Sequence, residues 1–192
     1  MTKRPGFLSS QWITLAVMAV ASSVVSAADL SMLSDFGRPD IPQQKLGASP
    51  AGNSMVGVMQ EGDLNIVNVQ QSGGTGNNTQ VWQSGVDLQV AVQQRGADNE
   101  LRLSQMDAQN RGGLSQDGFG NQAAIQQSGI DNDVTGSQVG DANQLVLSQH
   151  GADQFSFTQQ GNQNQILADM PAGVSVHVDQ IGNNLSFQLM PN

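Results

Sequence analysis

The chain contains no cysteine, which excludes disulfide cross-links and thiolate metal sites, so stability has to come from packing and hydrogen bonding. Basic residues are scarce: seven Lys and Arg stand against sixteen Asp and Glu. Two of the seven, Lys3 and Arg4, sit in an N-terminal stretch that reads as a removable signal, and its loss leaves five against sixteen, a net charge near −11. That balance argues against nucleic acid as a partner and helps keep copies apart before any assembly. Histidine occurs twice, at His150 and His177. Neither stands in a His, Cys or carboxylate cluster at metal spacing, so both read as surface residues and no metal or cofactor is expected. There is no Gly-x-Ser-x-Gly, His-Glu-x-x-His or phosphate-binding loop, and no pair of carboxylates is marked out, so catalytic residues are not expected and the chain does not read as an enzyme.

Long hydrophobic runs are also missing after the first thirty residues. Residues 1–27 have the parts of a secretory signal peptide: Lys3 and Arg4, an apolar stretch from Trp12 to Ala21, and the small residues Val25-Ser26-Ala27 ahead of Ala28. The apolar stretch is short for a membrane span, so the mature chain is expected to be exported and not membrane-embedded. Residues 28–53 carry Pro39, Pro42 and Pro50 with scattered charge and read as a flexible N-terminal leader outside the repeat region. The repeats occupy residues 54–190.

What the chain has in abundance is one triplet, Gln-x-Gly, returning roughly every eleven residues. It opens at Gln60, Gln71, Gln83, Gln94, Gln116, Gln127, Gln138, Gln149, Gln159 and Gln180, with degenerate copies at Gln105-Met106-Asp107 and Met170-Pro171-Ala172. Stepping back by two from each Gln gives sets such as Asn65, Val67, Val69, Gln71 and Asn99, Leu101, Leu103, Gln105. This is the period of a strand with one buried face. After each strand a glycine supplies turn chemistry at positive φ: Gly62, Gly73, Gly85, Gly96, Gly118, Gly129, Gly140, Gly151, Gly161 and Gly182.

Two strand-turn units of about eleven residues make a coil of about twenty-two, and alternate strands then stack in parallel into two facing sheets. The fold class is all-β, a β-solenoid. One sheet is expected to hold Val56/Val58, Thr79/Val81, Leu101/Leu103, Ala123/Ile125, Leu145/Leu147 and Ile166/Ala168 on its inner face. The other holds Val67/Val69, Val90/Val92, Gly112/Leu114, Val134/Gly136, Phe155/Phe157 and Val176/Val178. With ~4.8 Å per coil, six or so coils give a rod about 30 Å long.

Inward amides at the strand ends need partners, because burying an unpaired amide costs a few kcal/mol. Identical amides at the strand spacing can bond up and down the stack. The column Gln71, Gln94, Gln116, Gln138, Gln159, Gln180 is unbroken, whereas Gln60, Gln83, Gln105, Gln127, Gln149 ends at Met170. Asn77, Asn99, Asn121, Asn143 and Asn164 form a parallel column, and Asn65, Asn110 and Asn132 hold the matching place before the other set of strands.

Other readings of the same residues are weaker. Asp63, Asp98, Asp131, Asp133, Asp141 and Asp153 evoke a calcium-binding β-roll, but that design needs a nine-residue repeat, and turn propensity accounts for them better. Outward positions such as Gln80/Trp82 and Glu100/Arg102 lack the threonine rows of an ice-binding solenoid. Phe155 and Phe157 lie at inward parity and read as core opposite small residues such as Gly136 and Ala168.

The segment Gln116-Asp117-Gly118-Phe119-Gly120-Asn121-Gln122-Ala123-Ala124-Ile125-Gln126-Gln127 resembles the curlin repeat, Gln-x-Gly-x-Gly-Asn-x-Ala-x-x-x-Gln, at every defined position. A looser form extends from Ser54 to Gln180. The pattern departs from the family where Asn65, Asn99 and Asn143 replace the usual opening Ser, and the leader lacks a Gly-rich tract. The resemblance implies a curli fibre subunit. Such a chain is exported to the periplasm, meets accessory proteins there, and passes unfolded through an outer-membrane secretion pore. Outside the cell it polymerises, with itself and a second curli subunit, into a cell-surface functional amyloid fibre, a fimbrium serving adhesion and biofilm matrix. Irregular repeat lengths near Gly73 to Asn77 and Gly161 to Gln180 lean towards the minor, nucleating type.

The repeat itself points to polymerisation. Slipping one residue reverses inside and outside, but slipping a whole coil barely changes the pattern. The terminal coils, Ser54 to Gln71 and Val174 to Leu189, therefore expose edges that another copy fits, and head-to-tail addition would give a cross-β fibre. The alternative is a secreted monomeric solenoid whose outer face, with Trp82 and rows of Gln, binds a polysaccharide or host ligand.

Overall fold

A computed structural model describes residues 15–20, 43–47 and 53–191. The stretches read as signal and leader lie outside the described residues except for two short backbone segments. These are β1 (Leu15–Val20) and β2 (Gln43–Gly47).

The repeat region folds as thirteen further strands: β3 (Met55–Glu61), β4 (Ile66–Ser72), β5 (Asn78–Val86), β6 (Gln89–Ala97), β7 (Glu100–Ala108), β8 (Arg111–Phe119), β9 (Gln122–Gln127), β10 (Asp133–Val139), β11 (Gln144–Gln149), β12 (Gln154–Gln160), β13 (Gln165–Met170), β14 (Ser175–Ile181) and β15 (Ser186–Leu189). Odd strands make one sheet in the order β1-β3-β5-β7-β9-β11-β13-β15, and even strands make the other, β14-β12-β10-β8-β6-β4-β2. Every pairing is parallel except β1 against β3. The protein is a two-sheet parallel β-solenoid of about six coils of about twenty-two residues each, as the eleven-residue period predicts. No helix among the described residues is long and apolar enough to cross a membrane.

Register follows the period-two pattern. Val67 faces Val90 and Val69 faces Val92 across β4 and β6, and Leu101 faces Ala123 and Leu103 faces Ile125 across β7 and β9. These inward side chains form one continuous core running the length of the stack. Each fully buried Val, Leu, Ile or Phe contributes about 1.5–3 kcal/mol. Large and small residues alternate along it: the Phe157 ring fills the space a Cβ on Gly136 would take, and the rings of Phe155 and Phe157 lie 5.9 Å apart, tilted by 35°.

The turns explain the glycines. Gly118 has φ +130°, and a Cβ there would run into the carbonyl oxygen of Gly140 one coil on. The glycine permits both the backbone angle and the close approach of successive coils. Asp87, Asp98 and Asp131 occupy left-handed positions with φ between 55° and 62°, where a short polar side chain is tolerated.

Candidate functional site

At the end of each inner strand face the Gln side chains are hydrogen-bonded from coil to coil. In the even sheet Gln71 Nε2 donates to Gln94 Oε1 at 2.7 Å, Gln94 to Gln116 at 2.7 Å, Gln116 to Gln138 at 2.8 Å, Gln138 to Gln159 at 2.8 Å and Gln159 to Gln180 at 2.9 Å. In the odd sheet the chain runs Gln60, Gln83, Gln105, Gln127, Gln149 at 2.7–2.9 Å and stops at Met170. All these glutamines are buried.

Both ladders point the same way. Each donor belongs to the earlier coil and each acceptor to the later one, so the stack has chemically distinct ends. The second N–H of each amide goes to the facing sheet. Gln116 Nε2 donates to Glu100 O at 3.1 Å, Gln127 Nε2 to Arg111 O at 2.9 Å and Gln138 Nε2 to Gln122 O at 3.0 Å. One side chain therefore links neighbouring coils and staples the two sheets together, leaving few amide groups unsatisfied. Thr79, inward in β5, adds a hydroxyl between Gln71 and Gln94.

The asparagines hold the coil corners by another pattern. Asn99 Oδ1 accepts from the backbone N–H and from Nδ2 of Asn121, both at 3.1 Å, while Asn99 Nδ2 donates to Gly118 O at 3.0 Å and Arg95 O at 3.1 Å. Asn121, Asn143 and Asn164 repeat the backbone bond coil by coil at 3.0–3.1 Å. Asn110 and Asn132 do the same at the opposite corner. Ser54 begins the first column, its hydroxyl accepting from Asn77 N at 3.2 Å.

Two positions differ from expectation. Asp153, grouped by sequence with the turn aspartates, is buried and takes an asparagine's place: its carboxylate accepts from His150 N and Val174 N, each at 2.9 Å, and its own N–H meets Asn132 Oδ1 at 3.3 Å. Its turn is one residue shorter than the turn from Gln127 to Asn132, which hides the phase in a scan at fixed period. Leu88 also fills a corner position and is fully buried, with its N–H donating to Asn65 Oδ1 at 3.0 Å.

The outer faces mix polar side chains with exposed apolar ones such as Met55, Met59, Ile66, Trp82 and Ile181. His150 pairs with Asp169 at 2.9 Å and His177 with Asp179 at 3.1 Å, all four side chains well exposed. No group of three or more His, Cys, Asp or Glu able to hold a metal occurs among the described residues. A shallow groove of about 360 Å³ on the even face is lined by Gln70, Ser72, Gln93, Arg95, Ser115 and Asp117 among others. Trp82 is half-exposed on the odd face, beside Met59.

The molecule is thus a stack-forming solenoid in which the repeated chemistry lies inside and along the axis. A family described as the Curlin associated repeat matches residues 109–140, the stretch that spans β8, β9, β10 and both kinds of corner. Over that stretch the chain is similar to the curlin repeat family. Comparison with curated proteins and with solved structures gave no match.

Proposed function

We propose that the chain is a subunit of an extracellular curli-type fibre, a functional amyloid that supports cell adhesion and biofilm matrix, and that copies add head to tail. On this reading residues 1–27 direct export and are removed. The secretion pore and periplasmic accessory proteins that the family uses are its partners on the way out, and a second curli subunit is its partner in the fibre. The irregular repeats favour the nucleating type.

The observation that carries the reading is the one-way ladder between two unlike ends. In β14, at the outer edge of the even sheet, Gln180 Nε2 donates to Gln165 O at 3.0 Å, and its other N–H is left pointing along the ladder. At the opposite end Gln71 Oε1 is a buried acceptor with no partner. A donor at one end and an acceptor at the other make a heterologous contact that does not close on itself, the geometry that yields a filament and not a ring. The strands would lie perpendicular to the fibre axis.

The test is dilution of residues 28–192 from denaturant, followed by thioflavin fluorescence and fibre diffraction, with and without seeds of the same chain. A lag abolished by seeds and reflections near ~4.8 and ~10 Å are expected. Rapid unseeded assembly would mark a nucleator. A strand-rich monomer that stays soluble for days would overturn the reading and direct attention to Trp82 and the outer Gln rows as a ligand surface.

A further inference from the structure

The number of strands raises a tiling problem for the fibre proposed above, on which this inference rests. From β3 to β15 the odd sheet has seven parallel strands, but from β4 to β14 the even sheet has six. Copies stacked in that form would gain one more strand in one sheet than in the other at each addition. Two arrangements restore the balance: β2 stays and each copy spans seven coils, or β2 and β15 both leave and each copy spans six.

The structure separates them. If β2 stays, the even-sheet joint sets β14 against β2, and β2 ends at Gly47 opposite Gln70, one residue short of Gln71. Gln71 Oε1 then stays buried without a donor, its desolvation uncompensated. If β2 leaves, β14 of the preceding copy lies directly on β4. Its inward Val176, Val178 and Gln180 then stand over Val67, Val69 and Gln71, nearly the set that Val90, Val92 and Gln94 already present from the other side. Gln180 donates to Gln71, and the ladder passes through the joint unbroken.

Strand length points the same way. β2 has five residues and β15 has four, whereas β4 and β14 have seven each, β3 has seven and β13 six. Exchange replaces two short pairings with two longer ones: β14 on β4 and β13 on β3. In the second, Ile166, Ala168 and Met170 meet Val56, Val58 and Gln60, all in the inward phase. Pro191, two residues beyond β15, takes the ladder position next to Met170 in the odd sheet and has no N–H to extend it.

We infer that Gln43–Gly47 and Ser186–Leu189 are removable edge caps. They pair with the sheet ends of the free subunit, blunt its edges, and are displaced by a second copy as the fibre grows, a form of strand exchange by β-augmentation. The repeating unit of the fibre is then six coils. The leader limits nucleation by competing for the edge where β14 of another copy docks.

Hydrogen exchange read by mass spectrometry on residues 28–192, as fresh monomer and as fibre, tests this. Amides in 43–47 and 186–189 are expected to be protected in the monomer and to lose about tenfold or more of that protection in the fibre, while 66–72 and 175–181 become more protected. Protection of the two short strands that persists in the fibre would establish the seven-coil arrangement and overturn the inference, as would their lack of protection in the monomer. Leu46→Pro, which weakens the pairing of β2 without touching the repeats, is expected to shorten the unseeded lag by about twofold or more. A lag that is unchanged or longer counts against the cap. Failure of the unaltered chain to form fibres would instead remove the function on which the inference stands.

Discussion

The solenoid has two corners, and they are not equally well made. Where the chain passes from the even to the odd sheet, Gln71, Gln94, Gln116, Gln138, Gln159 and Gln180 close the strands without exception. A glycine follows each two residues later, and Asn77, Asn99, Asn121, Asn143 and Asn164 open the next strand, with Leu185 in the asparagine's place only at the last turn. Where it passes from odd to even, the same three columns are interrupted by Met170, by Asp107 in a glycine's place, and by Leu88, Asp153 and Val174 in an asparagine's. The irregularities of the repeat are thus concentrated on one edge of the rod. The comparison teaches that the stack needs one fully laddered corner to hold register, while the other is held by the apolar core and the backbone bonds between coils.

A substitution that blocks the close approach of coils should separate Gly118 from Gly151 most strongly, although Gly62 and Gly85, in the same corner as Gly151, approach the next coil as closely as Gly118 does. Gly118→Ala puts a methyl group into the Gly140 carbonyl at φ +130°, and is expected to cost about 3 kcal/mol or more. Gly151, at φ +133° in the other corner, has Ile130 N 3.8 Å away as the nearest atom to such a methyl group. Gly151→Ala should therefore cost only the backbone strain, about 1–2 kcal/mol. Urea unfolding of freshly diluted chain measures both. Equal losses would mean that the coils are as closely stacked at Gly151 as at Gly118.

Removing an amide should rank next. Gln138→Leu strands the Gln116 donor on one side and the Gln159 acceptor on the other, for a loss of about 2–6 kcal/mol. Gln149→Leu strands the Gln127 donor but no ladder acceptor, because Met170 lies beyond it, for about 1–3 kcal/mol. Both variants also give up bonds to backbone carbonyls, Gln138 to Gln122 O and Gln149 to Asp133 O and Asp153 O. If the Gln149 variant proved the weaker of the two, the ladder account of the corners would fail.

Much of this was legible in the sequence because burial alternates strictly along each strand. Val67, Val69 and Gln71 share a face for the same steric reason as Leu101, Leu103 and Gln105, and once one pair of coils is in phase the whole register follows. The direction of the ladders and the second bond of each Gln to the facing sheet were not legible. An amide is its own complement, so the sequence Gln116, Gln138 is compatible with either polarity, and the carbonyl of Glu100 that Gln116 reaches belongs to another sheet. Asp153 was hidden for a different reason. The turn after Gln149 is one residue short, so a reading at constant period places the carboxylate in a loop when the fold places it in the core.

That carboxylate accepts two backbone bonds that an amide could not both accept. Asp153 accepts two backbone bonds but lacks the Nδ2 donor that Asn132, one coil back, directs to Asn110 Oδ1 and Ser128 O. Asp153→Asn keeps one oxygen for Val174 N but puts an amino group where Oδ2 accepts from His150 N, so even with a new donor available towards Asn132 Oδ1 a net loss of about 1 kcal/mol is expected. A gain of stability would show that the bond from His150 N contributes less than the new donor does.

The smallest effect should lie outside both corners. Gln93 donates to Gln70 at 3.1 Å, a pairing of Gln with Gln one coil apart that lies in solvent and runs from the later coil to the earlier, the reverse of the inner ladders. In water the bond merely replaces one to a water molecule, and its loss strands nothing in the interior. Gln93→Ala is therefore expected to move stability by no more than about 0.5 kcal/mol and to leave the assembly rate unchanged, in contrast to Gln138→Leu. A penalty for Gln93 as large as that for Gln138 would mean that stacked amides stabilise the coil wherever they stand, and burial would lose its place in the explanation of the fully laddered corner.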